Sequence, residues 1–137
     1  MAIPKIIHQT CRSHDALAPE IRDNIRFLKE NNPGWEHRLY DDAAVRQYFA
    51  RHLSEPQQRA LDKLNPKYGV VLADLFRYLV VYHQGGVYLD VKSTARLPLD
   101  SVLRPDDSYL ISQWSNRLGE SHPAAGLHIE LFRVAGG

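Results

Sequence analysis

Apolar and polar residues change their spacing several times along this chain, and each change marks an element. After Pro4, "KIIHQT" is a short run rich in β-branched residues, which predicts a buried first strand ending near His8. In "APEIRDNIRFLKENNPGW", Ile21, Ile25 and Leu28 fall at helical spacing, and Asn31, Asn32, Pro33 and Gly34 supply the stop. "WEHRLYDD" returns to a period of two, with Trp35, His37 and Leu39 alternating against Glu36, Arg38 and Tyr40. Asp41 or Asp42 then caps a helix through "AAVRQYFARHL". Ser54, Glu55 and Pro56 open a short helix to about Lys63. Asn65 and Pro66 open the longest one, which runs through His83 and ends at Gly85 and Gly86. "GVYLD" reads as the next strand, "STARLPLDSVLRPDD" as loop and "SYLISQW" as a further strand, while "LHIELFRVAGG" fits a strand or a short helix. Strands alternating with helices predict an α/β fold, a mostly parallel sheet covered by helices.

Composition narrows the class. A chain of 137 residues suffices for one domain with a real core, taken here as residues 1–137. Seventeen basic against sixteen acidic residues give a net charge near +1, which argues against a nucleic-acid groove or a polybasic membrane patch. The single cysteine, Cys11, excludes an internal disulfide framework and a cysteine-rich zinc site, and fits a reducing setting. The start "MAIPKIIHQT" is unlike a signal peptide, and no long apolar span follows. The expected location is the cytoplasm, or the periphery of a membrane, with no transmembrane segment.

Candidate chemistry begins in "YGVVLADLFRYLVVY", Tyr68 to Tyr82, whose charged residues are Asp74 and Arg77. Apolar residues fall on every face, which predicts a buried helix and a partly buried charged pair. The plain reading is an ion pair between residues three apart on a helix surface, worth roughly 0.2–0.5 kcal/mol. Burying charge costs several kcal/mol per ion, so a pair facing a cleft, able to bind sugar hydroxyls and a phosphate, is the alternative. Ligands of open α/β sheets gather at the carboxyl ends of parallel strands, where Asp90 ends "GVYLD" and a loop follows His8. Gly85 and Gly86 admit positive φ and close backbone approach beside that end. Taken alone, Asp90 is equally a turn-capping aspartate. "DVKST" also has the outline of the D-x-D-x-T loop of haloacid-dehalogenase-type phosphatases, but Lys92 stands where the second carboxylate is needed.

Together, "IPKIIHQT", "NPGWEHRLYDD" and "ADLFRYLVVYHQGGVYLDVKS" resemble, in that order, the DXD-containing sugar-binding region of the glycosyltransferase family 32 type. That family is related to α-mannosyl- and α-galactosyltransferases and to the clostridial glucosylating toxins. The specific part is A-D-x-x-R followed by G-G-x-Y-x-D. The resemblance implies the N-terminal part of a GT-A fold, a UDP- or GDP-sugar donor, and hexosyl transfer with retention to a saccharide, glycan or lipid-linked acceptor. It also implies that Asp74 and Arg77 hold the donor sugar and its phosphate side. Asp90 corresponds to the first aspartate of the DXD motif, toward ribose, sugar or metal, and His8 lies where the first strand meets the nucleotide. Asp90 and Arg77 become the catalytic candidates, with Gly86 and Lys92 beside them at the donor.

Two positions depart from the family pattern. Lys92 replaces the second aspartate, the usual ligand of Mn²⁺ or Mg²⁺, and an ammonium repels a cation. Metal binding is then lost, or borne partly by Asp90 and the Ser93 hydroxyl, or replaced by Lys92 acting as a point charge on the diphosphate. A solvent-facing lysine is the plain reading. Cys11 stands where an aromatic often stacks on the base. A non-catalytic module that binds a nucleotide sugar is therefore the alternative to an enzyme.

Overall fold

The computed structural model describes residues 2–65, 69–114 and 129–135. Its elements run β1 (Ile6–Thr10), α1 (Pro19–Asn31), β2 (Glu36–Tyr40), α2 (Asp42–His52), α3 (Glu55–Asp62), α4 (Gly69–Gln84), β3 (Val87–Tyr88), α5 (Leu99–Val102), β4 (Asp107–Trp114) and β5 (Ile129–Ala135), with a 3-10 turn at His14–Ala16. The chain divides into two compact units, Pro4–Val102 and a second formed by Met1–Ile3 with Leu103–Gly137.

In the larger unit β1 lies between β2 and β3, parallel to both, in the order β2-β1-β3. This is the α/β arrangement that the alternation predicts. Register decides the rest. Ile7 pairs with His37 and Val87, and His8 with Arg38 and Tyr88, so odd positions of β1 share one face and even positions the other. The even face meets α2 and α4: Tyr40 packs edge-on against Phe76 at 4.8 Å, and Phe76 and Val80 join Val45, Tyr48 and Phe49 in a buried cluster. The odd face carries Gln9 and His37 toward α1, whose Leu28 is fully buried.

Local chemistry sets most of the boundaries. The Asp41 carboxylate accepts from the Ala44 amide at the start of α2, and Ser54 with Gln57 forms a capping box on α3. The helix at α5 falls in a stretch expected to be loop. Its single turn is held by distant partners rather than by its own periodicity. Leu99 is buried and its amide donates to Asn32 Oδ1 at 2.7 Å, while Asp100 accepts from Trp35 Nε1 at 3.0 Å.

The burial expected of the longest helix is corrected. α4 buries Phe76 and Val80 but leaves Val70, Tyr78 and Tyr82 more than two-thirds exposed, because α2 and the sheet cover one side of it. Its expected first residues, Pro66 to Tyr68, lie outside the described ones. In the smaller unit β4 and β5 form an antiparallel pair, from Asp107 opposite Ala135 to Trp114 opposite Ile129. Residues 129–135 of the final segment therefore form a strand. Among the described residues, no helix is long and apolar enough to cross a membrane.

Candidate donor site

The site is assembled where β3 leaves the sheet. Gly85 and Gly86 have φ of 67° and 89°, the left-handed region that favours glycine, and space demands it as well. A Cβ on Gly86 would stand 2.6 Å from the Ile6 carbonyl oxygen and 3.1 Å from His8 Nε2, and one on Gly85 would meet Pro4 Cγ at 2.7 Å. The two glycines therefore let α4 turn into β3 directly against β1. Backbone pairing continues past the strand, where the Leu89 amide donates to the His8 carbonyl at 3.1 Å.

Because β3 pairs in register with β1, Tyr88 and Asp90 fall on the α4 side. Arg77, one face of α4 below them, ties the group together: its Nη2 donates to Asp74 Oδ1 at 2.7 Å and stands 3.6 Å from Asp90 Oδ1. Its guanidinium lies 4.9 Å from the centroid of the Tyr88 ring, a cation–π contact worth roughly 0.5–1 kcal/mol in such a half-open place. Tyr88 is itself fixed by its hydroxyl, 2.8 Å from Thr10 Oγ1, and by packing against the α2–α4 core. Two carboxylates thus converge on one guanidinium that rests on an anchored ring. The Asp74 and Asp90 side chains are 51% and 62% exposed, open to a ligand, yet Arg77 Nε is buried and makes no hydrogen bond. A buried donor without a partner is costly.

His8 is placed differently. It is fully buried, with Nε2 3.0 Å from the Gly85 carbonyl and Nδ1 3.2 Å from the Tyr40 hydroxyl. A carbonyl only accepts, so Nε2 carries the hydrogen and Nδ1 accepts from Tyr40. Burial pushes its pKa below the usual histidine value. The structure brings Asp74, Arg77 and Asp90 together, sets Gly86 against Ile6 and His8, and gives His8 the task of joining β1 to the Gly85–Gly86 turn. Cys11 follows β1, and burial, then Asp41 and Asp42, push its thiol pKa up, so it remains protonated and inert at neutral pH.

Sequence reading missed the residues that hold the turn after β3. The Ser93 amide donates to the Asp90 carbonyl at 2.8 Å, closing a turn that spans Asp90, Val91, Lys92 and Ser93. Gln9, fully buried, donates from Nε2 to the same Asp90 carbonyl at 3.2 Å and accepts at Oε1 from His37 Nε2 at 2.8 Å. From α1, Asn24 Nδ2 donates to the Val91 and Ser93 carbonyls at 3.2 and 2.7 Å. The available signal was the period-two pattern itself, which puts Gln9 and His37 on one face of neighbouring strands. On that α1 side, Val91 and Lys92 line a hollow of about 320 Å³ with Ala18, Glu20, Ile21 and Asn24.

A metal finds little here. Among the described residues, no group of three or more His, Cys, Asp or Glu side chains is placed to hold one. Ca²⁺ takes six to eight oxygen ligands and Mg²⁺ near-octahedral oxygen coordination, and the two nearest carboxylates both face Arg77. The described residues do not fit a protein-built metal site.

Residues 18–119 match the family described as "Glycosyltransferase sugar-binding region containing DXD motif". The chain is 35% identical over 94 residues to an initiation-specific alpha-1,6-mannosyltransferase of Schizosaccharomyces pombe, a match covering 65% of this chain and 22% of that protein. It is 30% identical over 102 residues to a mannosyl phosphorylinositol ceramide synthase of Saccharomyces cerevisiae, covering 74% and 25%. Over 105 residues it is 32% identical to inositol phosphoceramide mannosyltransferase 2 of Schizosaccharomyces pombe, covering 74% and 28%. The chain thus spans about a quarter of the length of these relatives. No solved structure matches it.

Proposed function

Because the chain belongs to the family of glycosyltransferases with a DXD-containing sugar-binding region, we propose that it binds a nucleotide-sugar donor at the Asp74–Arg77–Asp90 edge and takes part in hexosyl transfer. The acceptor in this reading is a hydroxyl of a saccharide, glycan or lipid-linked molecule. The names of its relatives favour mannose as the hexose, and the donor in this reading is a UDP- or GDP-sugar. The observation that carries the reading is the convergence of the half-exposed Asp74 and Asp90 carboxylates on Arg77 Nη2, at 2.7 and 3.6 Å, at the strand end where α/β sheets collect ligands.

In that site Asp74 and Asp90 accept hydrogen bonds from sugar or ribose hydroxyls. Asp74 also holds the Arg77 fork toward the phosphates. During transfer the bond from the anomeric carbon to the diphosphate oxygen breaks, and its electron pair stays on the diphosphate. The acceptor oxygen bonds to the anomeric carbon, on the same face in a retaining reaction, and its proton passes to the leaving diphosphate oxygen. The developing negative charge lies on the leaving diphosphate, and a preorganised guanidinium there lowers the barrier without reorganising. Nothing in the site is assigned as a protein nucleophile, and no step runs through a metal.

The test is a screen of UDP- and GDP-hexoses against saccharide and lipid-linked acceptors, with nucleotide release and product mass read together. Release and transfer that fall at least tenfold in Asp74→Asn and Arg77→Lys support the reading, one tenfold step being about 1.4 kcal/mol. Binding without turnover by any donor assigns a non-catalytic donor-binding module instead. Absence of binding by every nucleotide sugar overturns the proposal.

A further inference from the structure

The diphosphate of a nucleotide sugar must be met by positive charge, and beside Asp90 the chain offers a lysine. We infer that donor binding here is independent of a divalent cation, with the Lys92 ammonium taking the place of a metal at the diphosphate. The inference rests on the donor-binding reading above and concerns the same site.

Three observations carry it. The carboxylates near the turn already face a cation, since Asp74 and Asp90 stand 2.7 and 3.6 Å from one nitrogen of Arg77, whose charge repels a divalent ion. The turn that presents Lys92 is fixed from both sides, by Gln9 on the Asp90 carbonyl and by Asn24 on the Val91 and Ser93 carbonyls, so the lysine leaves a rigid base. Finally, Lys92 makes no ion pair within the described residues and borders the hollow of about 320 Å³ against α1. That volume lies at the lower end of small-ligand pockets, which run from roughly 300 to 1,000 Å³.

The lining is mostly apolar and carries two charges, one of each sign. Lys92 is the cation among the lining residues, Glu20 is the carboxylate, and the two do not pair. Lysine is a compact point charge with three rotating donors, suited to phosphate oxygens that present no fixed fork. Glu20 repels phosphate and accepts from hydroxyls, which places the diphosphate on the Lys92 side of the hollow. Arg77 meets Asp90 from the α4 side, and Lys92, two residues on in the turn, borders the hollow on the α1 side, so the diphosphate charge is met by Lys92 rather than by a pair of cations.

Calorimetric titration of the full chain with UDP and with GDP, in EDTA and again in Mn²⁺, tests this directly. Affinity for the preferred nucleotide should be the same within about twofold in the two buffers, a difference below ~0.4 kcal/mol. Lys92→Ala should lose roughly tenfold in EDTA, Lys92→Arg should retain binding there, and Lys92→Asp should bind only once Mn²⁺ is added. Lys92 is exposed, so melting temperatures should not move, which separates a lost contact from a lost fold. Binding by the unaltered chain only in Mn²⁺, or undiminished binding by Lys92→Ala in EDTA, overturns the inference and leaves the donor site standing. Failure of both nucleotides in both buffers overturns the donor site itself.

Discussion

Two polar layers meet at the carboxyl end of β1, one sealed and one open. The sealed groups are His8 on one face of β1 and Gln9 with His37 on the other: His8 and Gln9 are fully buried, His8 is matched to the Gly85 carbonyl and the Tyr40 hydroxyl, and Gln9 to the Asp90 carbonyl and His37. The open layer is Asp74, Arg77 and Asp90, where the charges are larger and the side chains half exposed, with one buried nitrogen unmatched. A sealed network costs dearly to break, because each deleted group strands a partner in low dielectric. An open charged cluster contributes little to stability and remains free to meet a ligand. The first layer fixes the position of Asp90, and the second uses it.

Substitutions should separate the two. Gly86→Ala is expected to be the most damaging single change, since it forces a Cβ to 2.6 Å from the Ile6 oxygen at a φ of 89°. Strain and overpacking together predict a loss of roughly 2–5 kcal/mol, read from the denaturant midpoint. Gln9→Leu removes both bonds of the amide and leaves His37 Nε2 and the Asp90 carbonyl without it. Its expected cost is about 2–3 kcal/mol in stability, with donor affinity falling alongside because the Asp90–Ser93 turn loosens. Asp74→Asn in the open layer should cost less than about 0.5 kcal/mol in stability, its pair with Arg77 being half exposed. Donor affinity should nevertheless fall at least tenfold. A stability loss for Asp74→Asn as large as that for Gln9→Leu would show that the distinction between the layers is wrong.

The contrast also marks what was legible in the residues alone. Charges inside an apolar helix and an aspartate at a strand end stand out in a sequence, and Asp74, Arg77 and Asp90 do come together. The two glycines were readable because few other residues tolerate their backbone. Gln9 and Asn24 were not. Period two places Gln9 on one face with His37 but does not show its bond to the Asp90 carbonyl, 81 residues away, and an amide in an amphipathic helix carries no local signature, the partners of Asn24 lying 67 and 69 residues away. α5 escaped for the same reason, its turn being set by Asn32 and Trp35 rather than by its own four residues. The exposed side of α4 shows the opposite failure. Apolar residues on all faces suggested full burial, but hydrophobicity says how a face would gain from cover and not whether this chain supplies the cover.

The smallest predicted effect is the response of the sealed layer to pH. Burial lowers the pKa of both His8 and His37 below the ordinary 6.5, with Lys29 adding to the effect at His37 and Arg38 at His8. The unfolded chain therefore takes up protons before the folded one does. Stability from these two imidazoles is fully present above about pH 6.5 and is lost as pH falls through 6.5 toward their folded values. Melting temperature should be flat from about pH 8 to 7 and decline below about 6.5, before most carboxylates begin to titrate. His37→Gln keeps a donor toward Gln9 Oε1 but no longer titrates, so it should reduce that decline while leaving the plateau nearly unchanged. The open layer contains no imidazole, so Asp74→Asn should leave the decline as it is. If His37→Gln leaves the slope intact, or if Asp74→Asn removes it, the pH response does not originate in the buried imidazoles of β1 and β2 and the sealed groups are not the ones that respond to acid.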